Sequence, residues 1–243
     1  MKKIILIAAI AVCSISSNAQ VSFGAQVGAS LGMGHASTDY VDPYYGAVSV
    51  TNDPKVGFLI GVLGEVEFGK IAFRPELNFI QKGSKSGGYY YGIGTGSNAT
   101  KRTLNYVELP LNVVYNLELG KIGKTFFGLG PNLGFGISGK DKNVYDSYND
   151  RYVTRKIKFD GKKTDPNATT DDGYNHLKRT DIGLNILAGF QLEMGAFVKV
   201  GYTLGLNDID PDKNNSDPSY RSSYKNRGVS ICVGYMLGGK KKK

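Results

Sequence analysis

The residues nearest to a hydrolytic set are Asp171, Asp172 and His176. Hydrolysis needs a nucleophile or water, a base and an orienting acid held in fixed geometry. These three fall in a hydrophilic stretch between residues 138 and 179, and no motif fixes their geometry. The other histidine is His35. A non-enzymatic protein with no catalytic residue and no cofactor is expected. A second oxygen-rich run, NDIDPDKNNSDP, sets Asp208, Asp210, Asp212, Asn214 and Ser216 at every second residue. A calcium loop uses such spacing, but it also needs glycine at its sixth position and an acid at its twelfth. Lys213 and Ser219 stand there instead, so the run reads as a solvated, turn-rich loop with no metal. The third set is the largest. Glu65, Glu67, Arg74, Glu76, Glu108, Glu118, Asp181, Glu193, Lys199 and Arg227, together with Lys82, are scattered along runs that alternate between apolar and small or polar residues. Buried charges must be paired. If these lie inside a sheet closed on itself, they form a structural charge network. The competing chemistry is a proton or ion path.

The runs that carry them have a period of two, the signature of strands. The clearest is LNYVELPLNVVYNLELGKIGKTFFGLGPNLGFGI, residues 104–137. Val107, Leu109, Leu111, Val113, Tyr115 and Leu117 share one face of its first half, and Phe127, Leu129, Leu133, Phe135 and Ile137 one face of its second. Further strands are expected at about 22–33, 55–68, 71–82, 180–193, 196–206 and 227–237, which makes eight with the two halves of the hairpin. None of the apolar-face positions is charged, although 21% of the chain is. A charge at the midplane of a barrel's lipid face costs about 2–4 kcal/mol. The opposite face is largely glycine and serine with charges of both signs, which fits a narrow interior better than a solvated exterior. Phe23, Phe68, Phe79, Tyr115, Phe127 and Tyr202 are compatible with aromatic girdles.

The connections alternate in length. Gly69-Lys70, 120–124 and Met194-Gly195 are tight, whereas about 34–54, 83–103, 138–179 and 207–226 are long. Short turns at one end and long loops at the other are the layout of an outer-membrane barrel. The fold expected is therefore all-β: an eight-stranded antiparallel up-and-down transmembrane barrel with four long external loops and three short periplasmic turns. Its interior is just wide enough for side chains to fill. Glu108 and Glu118 need cationic partners across it, with Arg74 and Lys199 the expected ones. A bulge or bend is expected at Pro110 and Pro131, because a closed barrel has no edge to hide a missing N–H. A soluble, secreted lipocalin-like binding barrel is the alternative architecture.

The first nineteen residues read as a signal peptide. Lys2 and Lys3 are basic, Ile4 to Ile15 is apolar, and Ser17-Asn18-Ala19 supplies small residues, so the mature chain is expected to start at Gln20. Val12 before Cys13 is not the small residue that a lipidation site wants. Residues 20–239 form the barrel unit, and Lys240 to Lys243 a basic tail. Without the signal a single cysteine, Cys232, remains, so no internal disulfide is expected. The net charge of +9 owes much to the two ends and does not imply a nucleic-acid partner.

RPELNFIQKG (74–83), YVELPLNVVYN (106–116) and GLGPNLGFGISGK (128–140) resemble the PorT-like outer-membrane β-barrel proteins of Bacteroidota. DIGLNILAGF, VGYTLGLNDI and the closing NRGVSICVGYML fit the same pattern. The resemblance implies a porin-family barrel at the surface of a Gram-negative cell and brings no catalytic residue with it. Relatives commonly end on an aromatic of the last strand, whereas here Leu237 is followed by two glycines and four lysines.

The function expected is that of a structural or interaction barrel, a monomer in outer-membrane lipid with a filled polar lumen. A narrow channel for small solutes or ions is the alternative. Tyr40, Tyr44, Tyr45, Tyr89, Tyr90, Tyr91, Tyr145, Tyr148, Tyr152, Tyr220 and Tyr224 all fall in the long loops and suit contact with a partner. The basic tracts at 101–103, 155–158 and 162–163 suit lipopolysaccharide; an envelope protein is the other expected partner.

Overall fold

The fold is described from a computed structural model over residues 20–38, 41–42, 46–47, 49–89, 100–146, 151–163, 173–214 and 222–238. The expected signal peptide and lysine tail lie outside these residues. The strands are β1 (Gln20–Gly32), β2 (His35–Thr38), β3 (Val41–Asp42), β4 (Gly46–Ala47), β5 (Ser49–Phe68), β6 (Ile71–Tyr89), β7 (Thr100–Glu118), β8 (Gly123–Asp146), β9 (Arg151–Lys158), β10 (Tyr174–His176), β11 (Thr180–Leu192), β12 (Ala196–Gly205), β13 (Ser222–Lys225) and β14 (Arg227–Gly238). Eight of them close a barrel in the order β1-β5-β6-β7-β8-β11-β12-β14, with β14 returning to β1. Every neighbouring pair in that ring is antiparallel.

Apolar side chains point outward. Phe23 is 66% exposed, Val62 56%, Leu129 61% and Val233 55%. A continuous greasy band of this kind needs an apolar solvent, which a bilayer supplies. Tight turns at 69–70, 119–122 and 193–195 share one end, and Gly69, Gly120 and Gly195 supply the positive φ that those turns require. Phe68, Tyr115, Phe127 and Tyr235 ring the barrel toward that end.

The strands run further than the apolar alternation does. β5 and β6 extend to Ser49 and Tyr89, and β7 and β8 to Thr100 and Asp146, well beyond the expected 55–82 and 104–137. Backbone pairing continues there without a lipid-facing pattern to reveal it. The third long connection adds β9 beside the outer part of β8, taking over where β11 ends, with β10 parallel to β9.

The ladder keeps its register across both prolines expected to bulge. Pro110 faces Asn132 and Pro131 faces Leu184 without a shift, and pairs are merely absent for two steps between Pro110 and Val113. Skipping those bonds accommodates the missing N–H without inserting a residue. The bulge lies higher, between Asn105 and Tyr106, where β8 carries the extra residue Ile137.

Candidate functional site

Alternation turns Glu65, Arg74, Glu76, Glu108, Asp181 and Lys199 into the lumen, where each is almost fully buried. Three clusters result. Toward the turn end, the Arg74 guanidinium pairs with Glu65, donating from Nε at 2.5 Å, and Lys124 Nζ reaches Glu65 Oε1 at 2.7 Å and also contacts Glu67. At mid-height Lys199 Nζ on β12 crosses to Glu76 on β6 and donates to both carboxylate oxygens at 2.6 Å. Gln26, Asn78 and Asn112 add amide donors to the same carboxylate at 2.8, 3.1 and 3.5 Å. Toward the loops, Lys82 pairs with Glu108 and lies 3.5 Å from Asp181, whose other donor is Asn226 Nδ2 at 2.8 Å. A fourth pair sits above these, with Arg102 donating from Nε and Nη2 to Asp141 at 2.9 and 2.8 Å.

Three residues expected in this network lie elsewhere. Glu118 is exposed at the end of β7, opposite Lys124, and Glu193 is exposed in the β11–β12 turn. Alternation continues past the last paired residue, so it does not reveal where the lumen ends. Arg227 is half-buried and shares its alternation with the outward-facing Val229 and Ile231 rather than with the inward Cys232. The partners expected across the lumen are also replaced: Glu108 takes Lys82, Arg74 takes Glu65, and Lys199 takes Glu76. Lys124, placed by the sequence in the 120–124 turn, belongs to β8 and shares the inward alternation of Phe126.

The lumen also holds apolar residues that the glycine- and serine-rich reading of this face omitted. Leu63, Ala72, Val114, Phe126, Leu187, Phe197 and Met236 form one cluster toward the turn end, with the Arg74 guanidinium 4.1 Å over the Phe126 ring. Leu104, Tyr106, Ile157, Phe159, Leu177, Ile209 and Tyr224 belong to the other, toward the loops. Its members come from the barrel wall and from the connections folded inward. Phe159 meets Tyr106 edge-on at 5.6 Å and covers Gly136, where any Cβ would collide with its ring. The inner face was legible at these positions, because Leu63 shares its alternation with Glu65 and Val114 with Asn112. Polar and charged side chains and these two apolar clusters together line the lumen.

The acidic loop run is engaged with its own backbone. Asp208 accepts from the Ser223 hydroxyl at 2.6 Å and from the Tyr224 and Asp210 amides at 2.9 and 3.0 Å. Asp210 accepts from the Asp212 amide and the Ser222 hydroxyl. Asn214 offers its carbonyl to Lys163, and Ser216 lies outside the described residues. Among the described residues no group of three or more His, Cys, Asp or Glu is placed to hold a metal. These bonds tie β13, which pairs with β2, to the 208–214 run and place Tyr224 in the apolar cluster toward the loops, where its hydroxyl meets Ser84 at 3.0 Å. Tyr224, expected at a contact surface, is therefore buried. His176 Nδ1 lies 2.8 Å from Asp160, and Asp171 and Asp172 lie outside the described residues.

Burial pushes the Asp208 carboxyl up, but Ser223 and the two amides outweigh it and hold the group below its usual value. A depressed carboxyl stabilises the closed loop above its unfolded value and loses that contribution as pH falls through the lower folded one. Burial raises the neighbouring Asp210 despite its own donors, so Asp210 takes up its proton first. Pepsin nicking of the 207–226 connection is therefore expected to rise below about pH 4. Asp208→Asn should already be open at higher pH, with the acid-induced step reduced. An unchanged step in the variant would exclude Asp208 as its cause.

A sequence profile for the outer membrane protein β-barrel domain matches residues 16–211. No curated protein matches the chain. Among solved structures, Neisserial surface protein A is similar at 14% identity, with 89% of this chain and 97% of that one covered and a TM-score of 0.39. OprG of Pseudomonas aeruginosa is 13% identical over 90% of this chain and 96% of its own, with a TM-score of 0.47. Ail, the attachment invasion locus protein of Yersinia pestis, in complex with the heparin analogue sucrose octasulfate, is 11% identical over 90% and 99%, with a TM-score of 0.38.

Proposed function

Because the chain belongs to the outer membrane protein β-barrel family and resides in the outer membrane, we propose that it is a closed, non-catalytic monomer that acts through its external loops. Residues 1–19 are the export signal, cleaved before Gln20, residues 20–239 form the barrel unit, and residues 240–243 are a basic tail. Within the family, the motifs at 74–83, 106–116 and 128–140 group the chain with the PorT-like barrels of Bacteroidota. The lumen charges brace the wall instead of moving ions. The partners of the loops are an envelope protein and the lipopolysaccharide around the barrel.

The observation that supports this reading is the Lys199–Glu76 pair spanning the lumen between two apolar clusters. Each charge has its counter-ion, and apolar side chains close the path above and below. The strands that continue beyond the lipid-facing band carry the loops clear of the membrane. The loop role is tested by envelope pull-down with the full protein and with a variant whose residues 90–99 and 164–172 are replaced by short Gly-Ser links. A partner held by the first and lost by the second is expected. Equal recovery on both would contradict a loop-borne interaction.

A further inference from the structure

Five lysines lie on the outside of the wall just above the lipid-facing band, on four adjacent strands. Lys85, Lys101 and Lys142 are register partners across β6, β7 and β8. One step lower, Lys140 on β8 is the partner of Lys156 on β9. All five are exposed. Like charges directly opposite each other on neighbouring strands are destabilising, so two such rows have a cost unless something anionic lies over them. Among the described residues no acid stands on the outer face between these lysines. Asp141, between Lys140 and Lys142, turns inward and is taken by Arg102 and by Asn175 Nδ2 at 2.5 Å. Asp53 ends the upper row opposite Lys85, and among the described residues none of the five lysines forms an ion pair. The half-buried Lys55 is held below the ordinary lysine value by burial and then by Lys140, Lys142 and Lys85, which shows how positive this rim is.

The position of the rows selects the partner. Below Lys140 come Ser138 and then the lipid-facing Ile137 and Phe135. Gln81, Asn105 and Ser138 form a hydrogen-bonded polar row at the boundary, with links of 3.2 and 2.9 Å. At about 3.3 Å per residue the lysines sit within the headgroup layer, and their stems can lie along the apolar wall. They face sideways over lipid, not upward from the loop tips.

We propose that Lys85, Lys101, Lys140, Lys142 and Lys156 form a site for a phosphorylated lipid headgroup of the outer leaflet. The proposal rests on the lipid partner of the preceding reading and gives it a place on the wall, separate from the loop tips.

The test is native mass spectrometry of the detergent-solubilised full-length protein with diphosphoryl lipid A, its dephosphorylated form, or inorganic phosphate as probe. The wild type is expected to retain diphosphoryl lipid A and to lose it as salt rises. Each lysine near a membrane surface contributes roughly fivefold, so Lys101→Gln with Lys142→Gln should weaken retention at least about tenfold. Lys140→Gln with Lys156→Gln should do the same. Lys70→Gln with Lys121→Gln, at the turn end, should leave it unchanged, and the heat-dependent gel shift of each variant checks its fold. Equal retention of the dephosphorylated lipid, or undiminished retention by both rim variants, would overturn the site. Equally tight inorganic phosphate would overturn the lipid assignment, as would loss on the same substitutions of an acidic envelope protein but not of lipid. Equal recovery of the envelope partner by the full protein and its loop-replaced variant, with lipid retention intact, would count against the loop reading alone.

Discussion

Lys199→Met is expected to destabilise the folded barrel by about 3–5 kcal/mol, the cost of stranding a buried carboxylate. Glu76 would keep its amide donors from Gln26, Asn78 and Asn112 but lose its counter-ion. Gln26, Asn78 and Asn112 could not follow it to water, because strands on both sides fix them. The readout is the urea midpoint followed by far-UV circular dichroism, since the chain has no tryptophan to report by fluorescence. Removing both charges, as Lys199→Met with Glu76→Leu, should recover most of the loss, because an apolar pair of similar volume replaces a buried ion pair at little cost. Failure of the double variant to recover would mean that the pair is needed for more than neutralising itself. A single variant as stable as the wild type would mean that Glu76 reaches water.

The second large effect is on the opposite face. Val62 lies halfway along the outward positions of β5 and is 56% exposed. Val62→Arg should cost about 2–4 kcal/mol in a bilayer, and Val56→Arg, at the outer edge of the same strand, about 0–1 kcal/mol. Refolding yields into vesicles should follow that order, with the difference shrinking in short-chain detergent. Equal costs at 56 and 62 would argue against the lipid-facing band, since water does not distinguish the two positions.

The outward face and the short turns were legible because each is a local pattern. Alternation in VGFLIGVLGEVEF puts Val62 outward and Glu65 inward, and Gly69 marks the turn. The lumen was less so, because its pairs depend on how the sheet closes. Lys199 and Glu76 are 123 residues apart, and strand alternation does not reveal which strands face each other across the interior or with what stagger. Lys82 and Glu108 were both visible as inward, but not as partners. Glu118 and Glu193 were misplaced because the pattern runs past the last paired residue, and Arg227 by one step of alternation. The inward fold of Phe159, Leu177 and Tyr224 was hidden for a different reason. Their sequences look like any polar connection, and what draws them in is the apolar rim of Leu104, Tyr106 and Ile157 below.

If charged side chains and the two apolar clusters close the lumen, planar-bilayer recording will find the barrel silent. The purified protein, shown to be folded by its heat-dependent gel shift, is expected to add no resolved conductance steps in concentrated potassium chloride. A variant that thins the apolar cluster toward the turns, Phe126→Ala with Phe197→Ala, should conduct if that cluster is part of the seal. Large, stable steps from the wild-type protein would contradict a closed lumen.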